Sequence, residues 1–413
     1  MRNRNLILLF IVISLFIFGC KKTDEKILDT KVEAKVEEKS DEALRSRYEK
    51  MYSSFYEAYN LSKKTELEKK NRGFKLYVAG DIMFHSPQLD AAKKDGAYDF
   101  SDSFKYIGGV IEDGLSIANL ETTIAESGFM GYPLFRTPKI AVKNLKDVGF
   151  DILALANNHS LDGKKDGIRR TKEAVLENEI TPLGTYFSDE KNDPVILDVE
   201  GRKIAFLNYT YGLNGLDGWL EGETNLINVL DEEKVLHDIN YAKENANGII
   251  VMVHWGTEYI INGNDKMQEK WLNFFAENGV DIVLGSHPHV IEPDGFIEKD
   301  GHRMYYIFSL GNFLSNQRRE YMDQPYGEDG VILEMNIKPY DDKRIYAADV
   351  FYHPTWVKRT KTPLKYEIVP VYEGLSGSLG GINEADKAKL AESKDRTLSI
   401  LKAGKYVGDK VDE

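Results

Sequence analysis

The sequence predicts a domain of the α/β (α+β) class that follows a helical spacer. Two observations support this prediction. From about residue 74 onward, apolar runs of strand length alternate with amphipathic segments of helical periodicity. Five of these apolar runs are each followed by a cluster of polar residues. Because binding sites in such sheets lie beyond the carboxyl ends of the strands, we expect the five clusters to meet at one edge of a sheet.

The first 20 residues have the composition of an export signal. Arg2 and Arg4 precede an apolar run from Leu6 to Phe18, which is too short for a comfortable transmembrane helix. Cys20 follows this run and is the single cysteine of the chain. Its position resembles the lipidated cysteine of a bacterial lipobox; a plain signal peptide with an accidental cysteine is the alternative. We therefore expect a lipoprotein signal peptide at residues 1–20 and an extracytoplasmic protein, anchored to the membrane through a lipid on Cys20.

The remainder of the chain divides into three expected regions. They are a charged, partly helical spacer (21–72), a main domain (73–361) and a C-terminal extension (362–413). The spacer is dense in Lys and Glu and is predicted to be helical from about Glu42 to Lys70. The extension is predicted to begin with a Gly/Ser-rich loop at about Glu373–Gly381 and to end in a helix at about Asn383–Leu401.

The main domain is predicted to contain strands and helices in alternation. The five strands before the polar clusters are predicted at Phe74–Ala79, Leu115–Ala118, Asp151–Ala156, Gly248–Val253 and Asp281–Leu284. Helices are predicted at about Leu145–Val148, Gly167–Glu177, Glu232–Glu244 and Met267–Glu277. Hairpin turns are expected at Glu200-Gly201 and Glu298–Gly301. Later strands suggest a second sheet packed on the first; they are expected at 295–298, 303–309, 330–338 and 344–352.

The polar clusters contain the donor groups of a metal site. Carboxylate, amide and imidazole groups without a thiolate suit one or two divalent metal ions, such as Mn, Zn or Fe. A carboxylate can bridge two such ions, and a histidine that binds no metal can protonate a leaving oxygen. The candidate residues are Asp81, His85, Glu121, Asn158, His159, His254, His287 and His289.

Each candidate residue also has a structural explanation. Asp81 could cap a helix after the first strand, Asn158 could be a turn residue, and a histidine could satisfy a hydrogen bond in the core. Arg136 could clamp an anion with two hydrogen bonds or form a salt bridge within its loop. The remaining histidines receive no site role: surface positions are expected for His237 and His302, and core packing for His353.

Six segments of the sequence resemble motifs of the bacterial CapA family of capsule (poly-γ-glutamate) synthesis proteins. The resemblance extends from about Phe74 to Lys361, and the motifs occur in order. The segments are Gly80–His85, Asn119–Glu121, Ala156–Asp162, His254–Tyr259, Gly285–His289 and Ser309–Phe313.

This resemblance implies the fold of the calcineurin-like metallophosphoesterases, a four-layer αββα sandwich with a two-metal site. The implied metal ligands are Asp81, Glu121 at the bridging position, Asn158, His254, His287 and His289, with His85 as a further candidate. Catalytic roles are implied for Asn158 and His159, and we assign substrate contacts to Arg136, Asn119 and Glu258. The sequence departs from the superfamily's first motif, Asp-x-His, because Met83 stands at the histidine position and His85 follows later.

The formal net charge of −13 argues against a nucleic-acid binder, whose affinity depends on Lys and Arg contacts to phosphate. The resemblance to the CapA family implies a CapA-like protein that acts in the synthesis, export or anchoring of a capsular polymer of poly-γ-glutamate type. Its expected partners are the cell membrane and an anionic polymer or the machinery that makes and exports it. The expected site is a metal-dependent hydrolase or transferase. The alternatives are a non-catalytic assembly or polymer-binding component and, less favoured, a periplasmic metallophosphatase.

Overall fold

The computed structural model describes residues 42–263 and 265–406. The predicted signal peptide, Cys20 and the first part of the spacer lie outside the described residues. The chain divides into two compact units, Met1–Lys64 and Thr65–Glu413. A helix at Glu42–Asn71 matches the helix predicted for the spacer. Within the described residues, no helix is both long enough and apolar enough to cross a membrane.

The strands follow one another along the chain from residue 74 onward. They are β1 (Phe74–Ile82), β2 (Lys93–Lys94), β3 (Ala97–Tyr98), β4 (Leu115–Leu120), β5 (Thr123–Ala125), β6 (Arg136–Pro138), β7 (Ile152–Ala154), β8 (Thr181–Leu183), β9 (Val195–Val199), β10 (Arg202–Thr210), β11 (Gly248–His254), β12 (Ile282–Ser286), β13 (Asp294–Lys299), β14 (His302–Ile307), β15 (Asn312–Leu314), β16 (Asp329–Pro339), β17 (Ile345–Lys361), β18 (Leu364–Pro370) and β19 (Lys405–Tyr406).

The helices lie before and between these strands. They are α1 (Glu42–Asn71), α2 (Ser86–Ala92), α3 (Ser101–Phe104), α4 (Gly108–Ile111), α5 (Ile140–Val148), α6 (Lys164–Glu177), α7 (Glu232–Asn245), α8 (Lys266–Glu277), α9 (Arg319–Met322), α10 (Val371–Ser376) and α11 (Glu384–Ile400). Short 3-10 turns occur at Asp217–Leu220, Thr224–Leu226 and Tyr326–Glu328.

Two large sheets form the framework of the second unit. The nine-stranded sheet has the order β18-β17-β16-β1-β4-β7-β8, with β15 beside β1 and β19 beside β17. The six-stranded sheet has the order β13-β14-β12-β11-β10-β9. Strands β1, β4, β7 and β8 are parallel to one another, and so are β10, β11, β12 and β14. Each sheet therefore has one edge at which several carboxyl ends lie together.

The side chains alternate between the two faces of each sheet, as the pleat requires. In β1, Leu76 and Val78 pack between the sheets, against residues such as Ile250 and Leu284 of the other sheet. Tyr77 and Ala79 point to the outer face, where helices α2 to α6 contribute apolar side chains. Helices α7 and α8 cover the outer face of the six-stranded sheet. This order of layers confirms the predicted four-layer αββα sandwich.

The division of strands between the sheets differs from the sequence prediction. The five strands with polar clusters do not share one sheet: β1, β4 and β7 belong to the nine-stranded sheet, whereas β11 and β12 belong to the six-stranded sheet. The late strands β16 and β17 were expected in the second sheet, but they pair with β1 and extend the first. Buried strands carry similar apolar runs in either sheet, so the sequence pattern does not determine the partner. In addition, part of the predicted Gly/Ser-rich loop is helical, as α10.

Two glycines allow backbone segments to approach closely beside the polar clusters. A Cβ atom at Gly80 would lie 2.0 Å from the carbonyl oxygen of Gly311, and one at Gly285 would lie 1.9 Å from that of Phe308. Neither position has room for a side chain. One of these glycines lies in each sheet. In both sheets, a close backbone approach at a glycine therefore fixes the strand next to the candidate site.

Candidate metal centre

The polar clusters meet where the carboxyl ends of the two sheets face each other. The strands continue into the clusters, so that Asp81 lies within β1 and His254 is the last residue of β11. The backbone N–H of Asp81 donates to the carbonyl oxygen of Gly311 at 3.0 Å. After β12, His287 and His289 adopt positive φ angles of 102° and 58°. Such conformations are costly for residues other than glycine and are concentrated at functional sites.

Two fully buried carboxylates, Asp81 and Glu121, form the acidic half of the cluster. The side-chain amide of Asn119 donates to Asp81 Oδ1 at 2.8 Å and to Glu121 Oε2 at 3.2 Å. Asn157 in turn donates to Asn119 Oδ1 at 3.2 Å. Asn119 is 1% exposed. In the structure Asn119 thus orients the carboxylates, whereas the sequence analysis assigned it a substrate contact.

Three histidines face these carboxylates from the six-stranded sheet. The Nδ1 atom of His289 lies 3.0 Å from Asp81 Oδ2, and its Nε2 atom lies 3.7 Å from Glu121 Oε1. His254 Nε2 lies 3.6 Å from the same Glu121 oxygen, and the backbone N–H of His287 donates to Asp81 Oδ2 at 3.3 Å. The structure therefore brings together carboxylates and imidazoles that are more than a hundred residues apart in the sequence.

Burial controls the protonation of this cluster. It raises the pKa of Glu121 well above 4.5, and the neighbouring charge of Asp81 raises it further. Burial also lowers the pKa values of His254 and His287 well below 6.5, with a further contribution from neighbouring histidines. Glu121 Oε1 and His287 Nδ1 are buried and have no hydrogen-bond partner among the described residues. Buried polar atoms without a partner are costly, so a bound ligand that contacts these two atoms would remove that cost.

The donor set fits a divalent metal ion. Carboxylate and imidazole ligand atoms within 4.8 Å of one another occur in three overlapping groups. These groups are Glu121 with His254 and His287, Asp81 with Glu121 and His289, and Glu258 with His287 and His289. Nitrogen and oxygen donors in this combination suit transition-metal ions.

Asn158 and His159 lie beside the cluster on the loop after β7. Asn158 Oδ1 is 3.0 Å from His254 Nε2, and the Asn158 amide donates to Asn214 Oδ1 at 3.2 Å. His159 Nδ1 lies 2.7 Å from Asp162 Oδ2, which also accepts the N–H of Phe135 at 2.6 Å. No role was predicted for Asp162 from the sequence. Asp162 could have been found from the sequence, because it lies three residues after His159 in a loop predicted to be functional.

The role of His85 as a metal ligand stays a prediction; its ring lies 5.1 Å from that of Phe135, which also contacts His159. His85 belongs to none of the donor groups formed by the described residues. Its Nδ1 atom accepts the backbone N–H of Asn316 at 3.3 Å. Burial, with a smaller contribution from His289, lowers the pKa of His85 to about 3, so its ring is neutral. The four-residue separation from Asp81 places His85 beyond the strand, where it caps α2.

Arg136 follows Phe135, whose ring lies 4.7 Å from that of His159. Arg136 lines a pocket of about 430 Å³, together with Lys164 and Trp219. Lys164 Nζ lies 5.3 Å from the centre of the Trp219 ring. Within the described part of the chain, neither Arg136 nor Lys164 forms a salt bridge within 4.0 Å. The loop salt bridge considered for Arg136 is therefore not formed, and its guanidinium group is available to an anion.

The three histidines without a predicted site role have different environments. His237 is exposed, as predicted. The prediction of a surface position for His302 is wrong: this side chain is buried, and its Nε2 atom lies 2.7 Å from Asp281 Oδ1. His302 is the first residue of β14, which pairs with β12 inside the six-stranded sheet, so its side chain reaches Asp281 just before β12. His353 is buried, and its ring packs against Tyr77 in the core.

Comparison with known proteins matches the segment of the chain in which these motifs lie. Residues 75–317, more than half of the chain, match the family described as Bacterial capsule synthesis protein PGA_cap. PGA biosynthesis protein CapA of Bacillus subtilis (strain 168) is 36% identical over 185 residues, which cover 44% of this chain and 47% of that protein. Capsule biosynthesis protein CapA of Bacillus anthracis is also 36% identical over 185 residues, covering 43% of each chain.

These alignments span less than half the length of either curated relative. Among solved structures, calcineurin-like phosphoesterase YfkN from Bacillus subtilis aligns with a TM-score of 0.40 and 13% identity, over 80% of this chain and 98% of that chain. The family match covers the segment that supplies all the donor residues, from Asp81 to His289, and it confirms the resemblance found in the sequence. The chain belongs to the bacterial capsule synthesis protein (PGA_cap) family.

Proposed function

We propose that this protein acts on an anionic capsular polymer of poly-γ-glutamate type through a metal-dependent hydrolase or transferase site. One observation supports this proposal above all others. Two buried carboxylates and three histidines converge in a chain of the capsule synthesis family, and Glu121 Oε1 and His287 Nδ1 have no hydrogen-bond partner in the described part of the chain. A purely structural polar cluster would be expected to satisfy these buried atoms internally.

The residues that would hold the metal come from both sheets. They are Asp81, Glu121, Asn158, His254, His287 and His289. When bound, a divalent ion supplies a Lewis acid that stabilises negative charge on an oxygen of the substrate. Asn119 donates to both carboxylates and keeps their remaining oxygens directed at the cluster. The Ser286 hydroxyl, 2.9 Å from His254 Nδ1, fixes the orientation of that imidazole.

His159 is the residue proposed to transfer a proton to the leaving group. Asp162 lies 2.7 Å from its Nδ1 atom, so Nε2 is left for the substrate. The Phe135 ring contacts the His159 ring edge-on at a centroid distance of 4.7 Å and limits its rotation. Asp162 is itself anchored by the Phe135 N–H. The ring is thus held in one orientation before a substrate arrives.

The pocket lined by Arg136 and Lys164 supports an anionic substrate. Four cationic side chains line it, among them Arg136 and Lys164, against three acidic ones (Glu126, Asp166 and Glu221), and neither Arg136 nor Lys164 forms a salt bridge within the described residues. A guanidinium group can hold a carboxylate with two parallel hydrogen bonds. A polymer that carries one carboxylate per residue would match this pair of cations, although the protein as a whole has a net charge of −13.

A hydrolysis assay tests the catalytic proposal. The full chain is loaded with Mn or Zn and incubated with poly-γ-glutamate, with simple amides and with phosphodiesters. We expect cleavage or transfer of the polymer that falls at least ~100-fold in Glu121→Ala and His287→Ala. The exposed Glu298→Gln substitution is the matched control. Turnover that persists in both site variants would refute the enzymatic proposal, and preferential turnover of phosphate esters would favour a metallophosphatase.

A second candidate function is a non-catalytic polymer-binding or assembly component. The first motif favours it, because Met83 stands at the histidine position and His85 belongs to none of the donor groups that the described residues form. This candidate predicts that the protein binds poly-γ-glutamate without turning it over at any metal loading. Binding that depends on Arg136 and Lys164 but is unaffected by metal removal would support it over the enzyme.

The proposal places the protein outside the cytoplasmic membrane, anchored by a lipid on Cys20. The support for it is the order of basic, apolar and small residues at positions 1–20. We expect a Cys20→Ser variant to move from the membrane fraction to the soluble or secreted fraction. Unchanged membrane association of this variant would contradict lipid anchoring.

A further inference from the structure

His85 lies beside the candidate site, and the proposed function gives it no role. It stands between β1 and α2 and is half-buried. Its ring contacts Phe135 edge-on, with 5.1 Å between the ring centroids and an interplanar angle of 86°. The ring of His159 contacts the same Phe135 ring at 4.7 Å and 83°. His85 and the proposed proton donor therefore share one aromatic neighbour.

The first turn of α2 holds the backbone of His85. The N–H of His85 donates to Oε1 of Gln88 at 2.8 Å, and its carbonyl oxygen accepts the N–H groups of Gln88 and Leu89 at 2.9 and 3.0 Å. Gln88 is 2% exposed, so water does not compete for this bond. The place of the His85 ring therefore depends only on its side-chain torsions.

A hydrogen bond to the ring determines which nitrogen carries the hydrogen. The backbone N–H of Asn316 donates to His85 Nδ1 at 3.3 Å. Only an unprotonated nitrogen accepts such a bond, so the ring is neutral and its hydrogen lies on Nε2. Asn316 is itself held, because its Oδ1 atom accepts the Tyr366 hydroxyl at 2.6 Å. Within the described residues, His85 Nε2 has no hydrogen-bond partner.

The ring also lies within electrostatic range of the site. Burial lowers the pKa of His85, and the neighbouring His289 and His159 lower it further. His289 is a proposed metal ligand, and His159 is the proposed proton donor. His85 thus offers a neutral N–H group close to both.

We infer that His85 is a catalytic residue whose Nε2–H donates a hydrogen bond to the substrate oxygen on which negative charge develops. This inference rests on the proposed hydrolase or transferase function of the same site. With its hydrogen on Nε2, the ring has no lone pair at that atom for a metal ion. His85 therefore acts on the substrate, in place of the ligand role predicted for it. A neutral imidazole can polarise a carbonyl group without giving up its proton.

The role of His85 is defined by the hydrolysis of an amide of the polymer. A water oxygen adds to the carbonyl carbon, and the electron pair of the C=O bond moves to the oxygen that His85 contacts. This pair returns as the C–N bond breaks. The electrons of the C–N bond leave with the nitrogen, which takes a proton from His159. The proton released by the attacking water restores His159, so His85 keeps its own proton throughout.

Nuclear magnetic resonance of the histidine rings tests the donor without an activity assay. The full chain is labelled with ¹⁵N in its histidines and loaded with Zn²⁺, and His85→Gln assigns the His85 signals by their loss. We expect hydrogen on Nε2 and a neutral ring between about pH 5 and pH 9. Addition of a poly-γ-glutamate oligomer should shift the Nε2 signal of His85. The signals of the exposed His237 should stay unchanged.

The kinetics of two variants separate a donor from a structural residue. His85→Ala removes the donor, whereas His85→Gln keeps a neutral N–H group on a side chain of similar length. We expect kcat for poly-γ-glutamate cleavage to fall about 100-fold in His85→Ala, with KM changed less than about threefold, and His85→Gln to regain at least ~10-fold of the loss. Mn²⁺ affinity should stay within about threefold in both. His237→Gln is the control, and thermal unfolding verifies that each variant is folded.

Other results overturn either this role or the function on which it rests. Hydrogen on Nδ1, or a His85 signal that does not move while other site histidines respond to the oligomer, would overturn the inference alone. Equal kcat values in His85→Gln and His85→Ala would do the same. Loss of a metal ion in His85→Ala would overturn it by making His85 a ligand. No turnover of any substrate by the wild type would overturn the proposed catalysis and this role together.

Discussion

The two sheets contribute different chemistry to the site. The nine-stranded sheet supplies carboxylate and amide groups, from Asp81, Asn119, Glu121 and Asn158. The six-stranded sheet supplies imidazoles, from His254, His287 and His289. In the former, burial raises the pKa of Glu121; in the latter, burial lowers the pKa values of His254 and His287.

This difference explains why the cluster requires both sheets. Burial disfavours a negative charge on Glu121 and a positive charge on His254 and His287. Transfer of a proton from the carboxyl group to an imidazole would therefore not stabilise either side. A divalent cation between them would favour ionised carboxylates and neutral imidazoles at the same time. The proposed metal site therefore depends on the seam of the sandwich rather than on either sheet alone.

The largest effect should come from removing the residue that contacts both sides. Glu121→Ala should weaken Mn²⁺ binding by more than ~100-fold, because Glu121 occurs in two of the three donor groups. Calorimetric titration measures the change, with Glu298→Gln as the surface control. Retention of wild-type affinity by Glu121→Ala would show that the nine-stranded sheet does not provide the central ligand.

A smaller loss is expected from Asn119, which orients the carboxylates without coordinating. Asn119→Ala removes the donor shared by Asp81 and Glu121 and should weaken Mn²⁺ binding by about 10–100-fold. Asn336, bonded to Asp349 in the same sheet at 3.3 Å, provides the matched control as Asn336→Ala. Equal affinities in the two variants would exclude the orienting role.

The close backbone approach beside the histidines should be sensitive to one added methyl group. Gly285→Ala should lower the free energy of unfolding by about 1–3 kcal/mol, because its Cβ would overlap the Phe308 carbonyl. Gly109→Ala is the control, since a Cβ at Gly109 meets no atom within 4 Å. Urea unfolding of both variants measures the difference. A neutral Gly285→Ala would mean that the six-stranded sheet is not tightly fixed at the site.

Metal affinity should rise with pH. The raised pKa of Glu121 means that this carboxyl is protonated at pH values above its ordinary 4.5, and a metal must displace the proton. His254 and His287, with lowered pKa values, are already neutral there and release none. We expect affinity to increase by up to about tenfold per pH unit between about pH 5 and the raised pKa of Glu121.

Titrations in buffers of different ionisation enthalpy measure the proton released on binding. Glu121→Gln should abolish this release, whereas Glu298→Gln should not change it. A pH-independent affinity in the wild type would contradict the protonated state of Glu121.

The smallest effect is expected at His85. His85→Ala should leave Mn²⁺ stoichiometry unchanged and alter affinity by less than about threefold, because a direct ligand would cost far more. The reason is that His85 accepts a backbone hydrogen bond from Asn316 and lies outside the donor groups. Metal analysis of the variant tests this expectation. The loss of one ion would show that His85 is a metal ligand.

The sequence was sufficient to predict the elements of the site but not their arrangement. Asp81, Glu121 and His289 could be recognised because each follows an apolar run that forms a buried strand. The sheet to which β16 and β17 belong could not be predicted, since strand partners depend on contacts between distant residues. The burial of His302 and the pairing of Asp162 with His159 likewise depend on tertiary packing.

The most direct test of the central claim is an anomalous-scattering measurement on crystals grown with Mn²⁺. The account predicts a peak in the seam between the sheets, within coordination distance of Glu121 and of at least one histidine from His254, His287 and His289. Absence of any peak in the seam at saturating Mn²⁺, or a peak bound by residues of one sheet alone, would contradict it.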